Sequence, residues 1–358
     1  VKTSPVSFSI SDPEGDPLSG FVYMGGKAIP IVIGGTTTVD SDYGTLEIVT
    51  SGGGGNLTIT YTYALKEPES GTGTPGGPVD RLAKGEEYNE SIRFSFDDGH
   101  GNVVTQPVNL TIVGSNDAPD IRGVDDLALK EDGVFAGTYG VADGTAALNP
   151  LENTTTADGG VGGAQHRSSM AGQIVARDPD NGAVLTYGIV NADGSPLVAG
   201  SVVGAVDGDP VSVVSVNSSD PANIVFTTKY GELHLDSTTG RYSFTLAGTT
   251  GAGATNTLAE GQKVGLYFRP TVHDEHGAQD LNYHVLRDGT ALALDTNRID
   301  ISILGTNDRP VFDGSAGWDG GVTGVMESGT VSQPNVITGQ VTATDHDSGA
   351  TLTYGFAY

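Results

Sequence analysis

The residues of this sequence best suited to chemistry are aspartates and asparagines that recur in short blocks. Calcium prefers oxygen ligands, mostly from carboxylates and carbonyls, and takes six to eight of them. Alternate side chains of an extended chain point the same way, so both carboxylates of an Asp-x-Asp block can reach one ion. We therefore predict Ca²⁺ as the cofactor. The candidate ligands are Asn116, Asp117, Asp120, Asp178, Asp180 and Asp274 for one site, Asn307, Asp308, Asp313, Asp345 and Asp347 for a second, and Asp12, Glu14, Asp16, Asp97 and Asp98 for a third, with Glu131 and Glu327 as additional candidates.

An alternative interpretation is that these residues only form turns, since Asp and Asn often occur beside Gly and Pro in turns. A single Asp-x-Asp block would favour that interpretation. Here the blocks recur along a chain that has 44 Asp and Glu against 17 Lys and Arg, with a net charge of -27. This recurrence favours calcium.

Composition excludes several classes of protein. Nucleic-acid binding depends on Lys and Arg that neutralise phosphates, so a chain of this charge is not expected to bind nucleic acid. The chain has no Cys, which rules out disulfides and thiolate zinc sites and leaves a metal as an alternative means of stabilisation. No apolar run approaches 18 residues and the first residues do not form a signal peptide, so no membrane insertion is predicted.

Internal repetition is the strongest signal in the sequence. Asp12-Pro13-Glu14 matches Asp178-Pro179-Asp180, and the segment 114–119, GSNDAP, matches 305–310, GTNDRP. The segment 339–355 repeats 172–188 with 11 of 17 positions identical. We predict a module at 1–118 that lacks its first strand, a complete module with insertions at 119–310, and the opening fragment of a third module at 311–358.

The elements that must position these blocks are predicted to be short strands. In 91–96, 108–112 and 299–303 every second side chain is apolar, which is typical of strands with one buried face. No segment shows a comparable helical period, so the chain is predicted to be all-β. In a β-sandwich the entering linker and certain loops lie at one end, which would bring the aspartate blocks together.

The order of the blocks, DxD-G-x-LTYG, YG-x-L, LA-x-G, a D-G-x-G loop and GTNDxP, resembles the VCBS and cadherin-like tandem repeats of bacterial type I-secreted adhesins. In size the chain is also similar to rhizobial Rap-type lectins built of two cadherin-like domains. The resemblance implies tandem Ig-like/cadherin-like β-sandwich modules with Greek-key topology, loaded with calcium and located outside the cell. It also implies adhesion to a cell surface or a polysaccharide, including acidic exopolysaccharide. The glycine-rich nonapeptide G-G-x-G-x-D, typical of type I export, is absent.

Two functions remain open from the sequence. The chain is either an adhesin with lectin-like polysaccharide binding or a calcium-rigidified spacer of a larger adhesin. Trp318 is the candidate for stacking on a sugar, and its alternative role is as a core residue. An enzyme is not predicted, since His273-Asp274-Glu275-His276 does not have the H-E-x-x-H spacing and no G-x-S-x-G occurs. The partial modules at the two ends predict that the final segment supplies the missing strand of the first module, either from a neighbouring molecule in head-to-tail self-association or by folding back within one molecule.

Overall fold

The computed structural model describes residues 2–53, 55–66, 77–131, 169–248, 253–280, 298–312 and 342–355. Three residues singled out in the sequence, Asp313, Trp318 and Glu327, lie outside these ranges. The described residues form strands and turns, with no helix among them. They accordingly contain no helix with the length and apolar character that crossing a membrane requires.

The chain divides into two compact units. Unit 1 comprises Val1–Pro119, Arg177–Leu185 and His273–Gln279. It contains two four-stranded antiparallel sheets, in the orders β1-β6-β5-β4 and β3-β2-β7-β8. The strands are β1 (Val6–Ser11), β2 (Ser19–Met24), β3 (Lys27–Pro30), β4 (Thr36–Asp40), β5 (Gly44–Gly53), β6 (Asn56–Leu65), β7 (Glu87–Asp97) and β8 (Val103–Val113).

Unit 2 comprises Asp120–Ala176, Thr186–Val272 and Asp280–Tyr358. The strands numbered from the start of this part of the chain are β9 (Asp120–Val124), β10 (Leu127–Lys130), β11 (Ser169–Arg177), β12 (Thr186–Val190), β13 (Val202–Val206), β14 (Asp209–Asn217), β15 (Ile224–Thr228), β16 (Gly231–Leu235), β17 (Arg241–Leu246), β18 (Lys263–His273), β19 (Gln279–Asp280), β20 (Ile299–Leu304), β21 (Val311–Phe312) and β22 (Ala343–Thr344). The hydrogen-bonded path runs β10-β20-β18-β13-β14-β15-β16-β17-β11-β9, and β12 and β19 also pair with β18. The strands β21 and β22 pair with each other.

The alternation predicted from the sequence is present in the strands. In β7, Ile92, Phe94 and Phe96 are at most 2% exposed, whereas the residues between them face outward. In β20, Ile299 and Ile303 are fully buried in the same way. Burying one face of each strand removes apolar area from water, which contributes roughly 25 cal/mol per Å².

Aromatic contacts show that the two sheets of unit 1 pack face to face. Phe8 of β1 and Phe94 of β7 belong to different sheets, and their rings meet edge to face with centroids 5.2 Å apart. Such pairs contribute about 0.5–1.5 kcal/mol beyond area burial. In unit 2, the rings of Phe226 and Phe268 meet in a tilted arrangement with centroids 6.4 Å apart. The predicted class of tandem β-sandwich modules is thus confirmed.

Candidate calcium sites at two aspartate clusters

Three turns of unit 1 carry the first group of candidate ligands. The segment after β8 contributes Asn116 and Asp117, the turn after β11 contributes Asp178 and Asp180, and the turn after β18 contributes Asp274. We call these five residues cluster 1. The last turn is held by its own aspartate, because Asp274 Oδ1 accepts the backbone N–H groups of residues 276 and 278 at 2.8 and 2.9 Å.

Direct hydrogen bonds join the three turns of cluster 1. The Asn116 amide nitrogen donates to Asp274 Oδ2 at 2.7 Å, and also to the Asp117 carbonyl at 2.8 Å. The Asp117 N–H donates to Asp180 Oδ2 at 3.1 Å, while the Asp180 N–H donates to Asp178 Oδ1 at 2.9 Å. Residues far apart in sequence are therefore held at one place by their polar side chains.

Unit 2 contains a second group with the same pattern, which we call cluster 2: Asn307, Asp308, Asp345 and Asp347. The Asn307 amide nitrogen donates to the Asp308 carbonyl at 2.9 Å. The Asp308 N–H donates to Asp347 Oδ2 at 3.0 Å, and the Asp347 N–H donates to Asp345 Oδ1 at 2.9 Å. Three hydrogen bonds of cluster 1 are thus repeated atom for atom by the matching residues of the internal repeat.

Both clusters contain oxygens that are shielded from solvent but accept no hydrogen bond from the residues that the structure describes. They are Asn116 Oδ1, Asp178 Oδ2, Asp180 Oδ1, Asp308 Oδ2 and Asp347 Oδ1. His346 Nδ1 lies 3.9 Å from Asp308 Oδ2, which is too long for a hydrogen bond. A buried polar group without a partner costs about 1–3 kcal/mol, and more where it is charged. These oxygens therefore destabilise the protein unless a cation or another donor satisfies them.

The local electrostatics of cluster 1 penalise its negative charges. Burial, and then the charges of Asp180 and neighbouring aspartates, raises the pKa of Asp117. Burial is also the main cause that raises the pKa of Asp178 and of Asp180, with neighbouring carboxylates adding to it. Asp274 differs: burial opposes its ionisation, but hydrogen bonds from Asn116 and from backbone N–H groups outweigh burial and lower its pKa.

Cluster 2 shows the same electrostatic effect. Burial, followed by the charges of Asp347 and Asp345, raises the pKa of Asp308, although His346 acts in the opposite direction. Ionising Asp117, Asp178 and Asp180 in cluster 1, and Asp308 in cluster 2, therefore has a free-energy cost that comes mainly from burial.

The donor chemistry of both clusters fits a hard divalent cation. The unsatisfied atoms are carboxylate and amide oxygens, which are calcium ligands. Among the described residues, however, no group of three or more Asp, Glu and His side chains is arranged to hold a metal ion as it stands. Binding calcium would therefore draw on amide and carbonyl oxygens as well, and would require the side chains to reorient.

Two other candidate ligands have different surroundings. Asp120, at the start of β9, forms an ion pair with Arg122, whose Nε lies 3.0 Å from Asp120 Oδ2. Glu131 is buried at 5% exposure, and its Oε2 accepts the Thr306 N–H at 3.1 Å. Glu131 therefore contacts the segment that contains Asn307 and Asp308.

The aspartates of the third predicted group, in 12–16 and 97–98, accept hydrogen bonds within their own turns. Asp12 accepts the N–H of Asp16 at 3.1 Å, and Asp97 accepts the N–H of residue 99 at 2.6 Å. Asp98 binds the side chain of Asn102 at 2.9 Å and the N–H of residue 100 at 2.8 Å. Glu14 is exposed. None of the oxygens of this group is among the shielded, unsatisfied atoms of the described residues.

Sequence reasoning missed three carboxylates close to cluster 1. Glu86 accepts the side-chain amide of Asn181 at 3.2 Å, and Glu275 accepts the Val184 N–H at 2.8 Å. The charge of Asp80 contributes to the raised pKa of Asp117, after burial and Asp180. Glu86 follows the repeated LA-x-G block, so that block was the signal that could have identified it.

The class that this fold defines is the all-β protein built of tandem β-sandwich modules. No protein-family model matches the chain, and no curated protein matches it either. Solved structures with a similar fold include the protocadherin γB4 extracellular domain, with 16% identity over 96% of this chain and 41% of that one, at a TM-score of 0.32. They also include human CDH23 EC21–23, with 14% identity over 94% of this chain and 70% of that one, at a TM-score of 0.33.

A third similar structure is the protocadherin γB7 EC3–6 cis-dimer, with 11% identity over 98% of this chain and 62% of that one, at a TM-score of 0.32. The chain spans less than half of the protocadherin γB4 structure. TM-scores this low support no inference about function, which must come from the sites themselves.

Proposed function

We propose that this chain is an extracellular, calcium-binding adhesion segment in which clusters 1 and 2 each bind Ca²⁺. The observation that supports this is the set of shielded, unsatisfied oxygens, which occurs in both clusters within the same hydrogen-bond pattern. Ordinary turn aspartates satisfy their oxygens locally, as Asp98 does with Asn102. Asp178 and Asp180 in cluster 1, and Asp308 and Asp347 in cluster 2, each keep one shielded oxygen that is not satisfied by the described residues.

Asp178, Asp180, Asp117 and Asn116 would hold the ion in cluster 1, and Asp308, Asp345 and Asp347 in cluster 2. A bound cation supplies positive charge that lowers the cost of ionising these carboxylates. The aspartates themselves already link separate turns through backbone N–H groups. Calcium binding would therefore couple to the stability of the folded state, since the ligands are not assembled in the unfolded chain.

The finer part of the proposal is that the segment belongs to a bacterial VCBS-type adhesin and binds an acidic polysaccharide in a lectin-like way. The support is the order of the repeated sequence blocks and the excess of acidic residues, which favours cations as mediators. The alternative is a spacer that calcium stabilises and that has no ligand of its own. In both versions calcium binding is the common property.

Calorimetry in calcium, in magnesium and in chelator tests the calcium proposal. We expect calcium to raise the melting temperature and magnesium to have less effect, because magnesium gives up its water ligands reluctantly. An identical melting temperature in calcium and in chelator would refute the proposal. Gel retardation in acidic exopolysaccharide, with calcium and with chelator, then separates the adhesin from the spacer: stabilisation by calcium without retardation supports the spacer.

Self-association is also part of the proposal, and one topological difference supports it. In unit 2, β10 runs parallel to β20 and covers its edge, with Leu127 opposite Ile301 and Leu129 opposite Ile303. The matching strand of unit 1, β8, pairs only with β7 among the described strands. An uncovered strand edge is a site where a further strand can pair. Sedimentation at increasing protein concentration tests this, and a monomer at all concentrations would contradict it.

A further inference from the structure

A cavity of about 330 Å³ opens on unit 2 at strands β11, β16 and β17. Its volume lies at the lower end of the range for ligand pockets, about 300–1,000 Å³. The residues that matter for its chemistry are Ala171, Asn223, His234, Asp236, Arg241 and Ser243.

The alternation of β17 places polar groups in this cavity. Tyr242 and Phe244 are buried, so Arg241 and Ser243 face the other side of the strand. Ala171 of β11 lies directly opposite Ser243, and these two small side chains leave room for a ligand. Gly172 fixes the strand pair, because a Cβ there would lie 2.6 Å from the Tyr242 ring.

The cavity contains one carboxylate and one arginine, and the carboxylate, which stays ionised, is held by the hydroxyl and N–H groups of its own turn. Asp236 Oδ1 accepts both the N–H and the hydroxyl of Thr238, and Asp236 Oδ2 accepts the Thr239 hydroxyl at 2.7 Å. The Arg241 guanidinium, by contrast, makes no ion pair or hydrogen bond with the described residues. Arg241 thus borders the cavity without a carboxylate partner among the described residues, in a chain with 44 acidic and 17 basic residues.

Further hydrogen-bond donors face the same space. Asn223 Oδ1 lies 2.9 Å from His234 Nδ1, which leaves both hydrogens of the Asn223 amide for a ligand. Ser243 adds a hydroxyl. The lining is mostly apolar and includes Leu235 and Tyr242, while the guanidinium, the amide and the hydroxyl supply hydrogen-bond donors. This combination suits a ligand with an apolar face, several oxygens and a negative charge.

We propose that this cavity binds a saccharide unit that carries a carboxylate, such as a uronic acid, with Arg241 binding the carboxylate and Asn223 and Ser243 binding hydroxyl groups. Both β16 and β17 are paired along both edges, so an extended peptide cannot add to them as a strand. Scattered side-chain donors match the scattered hydroxyls of a sugar better. The inference deepens the polysaccharide part of the proposed function, and it does not depend on calcium binding.

Ligand-observed NMR titration with methyl galacturonide and methyl galactoside tests the site, because the two sugars differ only in the carboxylate. The titration is done with the full chain in calcium and again in chelator. We expect the galacturonide to bind, and the galactoside to bind at least about tenfold more weakly, given the strength of charge-assisted hydrogen bonds. Arg241→Gln should weaken galacturonide binding at least about tenfold, and Arg241→Lys should weaken it less.

Arg81→Gln is the matched control, since it makes the same change at an exposed arginine of unit 1. It should leave binding and melting temperature unchanged, and Arg241→Gln should leave the melting temperature unchanged. Equal binding of the two sugars, or galacturonide binding that Arg241→Gln does not weaken, would overturn the proposal. An acidic tetrapeptide that binds more tightly than galacturonide would overturn the saccharide assignment in favour of a peptide. If calcium does not raise the melting temperature but galacturonide still binds, the calcium proposal is refuted and the saccharide proposal stands.

Discussion

Replacing Asp178 and Asp180 together by Asn should change stability in opposite directions with and without calcium. Each Asn keeps a side-chain oxygen that can accept the N–H bond now made to Asp178 Oδ1 and Asp180 Oδ2, but it carries no charge. Because burial and neighbouring carboxylates raise the pKa of both residues, their ionised forms destabilise the folded state at neutral pH. In chelator the double variant should therefore unfold at a higher temperature than the original protein.

In calcium the order should reverse. Calcium bound to the folded state alone stabilises it by RT ln(1 + [Ca²⁺]/Kd), which is about 3 kcal/mol at a hundredfold excess over Kd. For a domain of this size that corresponds to an increase in melting temperature of about 10 °C. The variant loses the two carboxylates with shielded, unsatisfied oxygens in cluster 1, so most of this increase should disappear for unit 1.

The assay is differential scanning calorimetry of both proteins in calcium and in chelator, with calcium stoichiometry from isothermal titration. The double variant Asp207→Asn with Asp209→Asn is a matched control, because it removes the same charge from an Asp-x-Asp block whose residues are both exposed. The control should keep the calcium response of the original protein. If the Asp178 and Asp180 variant binds as much calcium as the control does, cluster 1 is not a calcium site.

Three further predictions concern pH, the core and the edge of β8. A carboxyl group whose pKa is raised in the folded state contributes stability below its unfolded pKa and loses that contribution as pH rises through the folded value. In chelator, the original protein should therefore gain stability relative to the Asp178 and Asp180 variant as pH falls from 7 towards 4. Urea unfolding at several pH values measures this difference. Phe94→Ala, at a fully buried position of β7, should lower the free energy of unfolding by about 3–5 kcal/mol, and a loss under 1 kcal/mol in urea would contradict the described core. Val113→Lys, at a 60% exposed position of β8, which pairs only with β7 among the described strands, should reduce self-association in sedimentation, because charge on a strand edge opposes pairing. Unchanged association would exclude this edge.

The strands were predictable from the sequence because their signal is local. The segments 91–96 and 108–112 alternate apolar and polar residues, and the structure places them within β7 and β8. The repeats also indicated which distant blocks share an environment, and the hydrogen bonds of Asn116 to Asp274 and of Asp117 to Asp180 join such blocks.

Other features could not be predicted because they depend on which oxygens are buried and which partners lie across the sheet. Asp120 and Asp180 are both aspartates of repeated blocks. Asp120 meets Arg122, whereas Asp180 is 8% exposed and keeps an unsatisfied oxygen. The cavity beside Arg241 likewise forms where β17 pairs with β11 on one edge and with β16 on the other. Strand β11 is distant in sequence from both β16 and β17, so no local pattern indicates the cavity.

The two clusters share a physical consequence that follows from their hydrogen bonds. Each one uses backbone N–H groups to satisfy one oxygen of an aspartate while another oxygen of the cluster stays shielded and unsatisfied. Rearranging a turn to expose that oxygen would break the N–H bonds that hold the turn, and protonating it at neutral pH has a cost of its own. A cation bound to the shielded oxygens removes the penalty of leaving them unsatisfied. The stability of this fold at neutral pH should therefore depend on the concentration of a divalent cation, and this dependence should appear in both units, since three hydrogen bonds of cluster 1 recur in cluster 2.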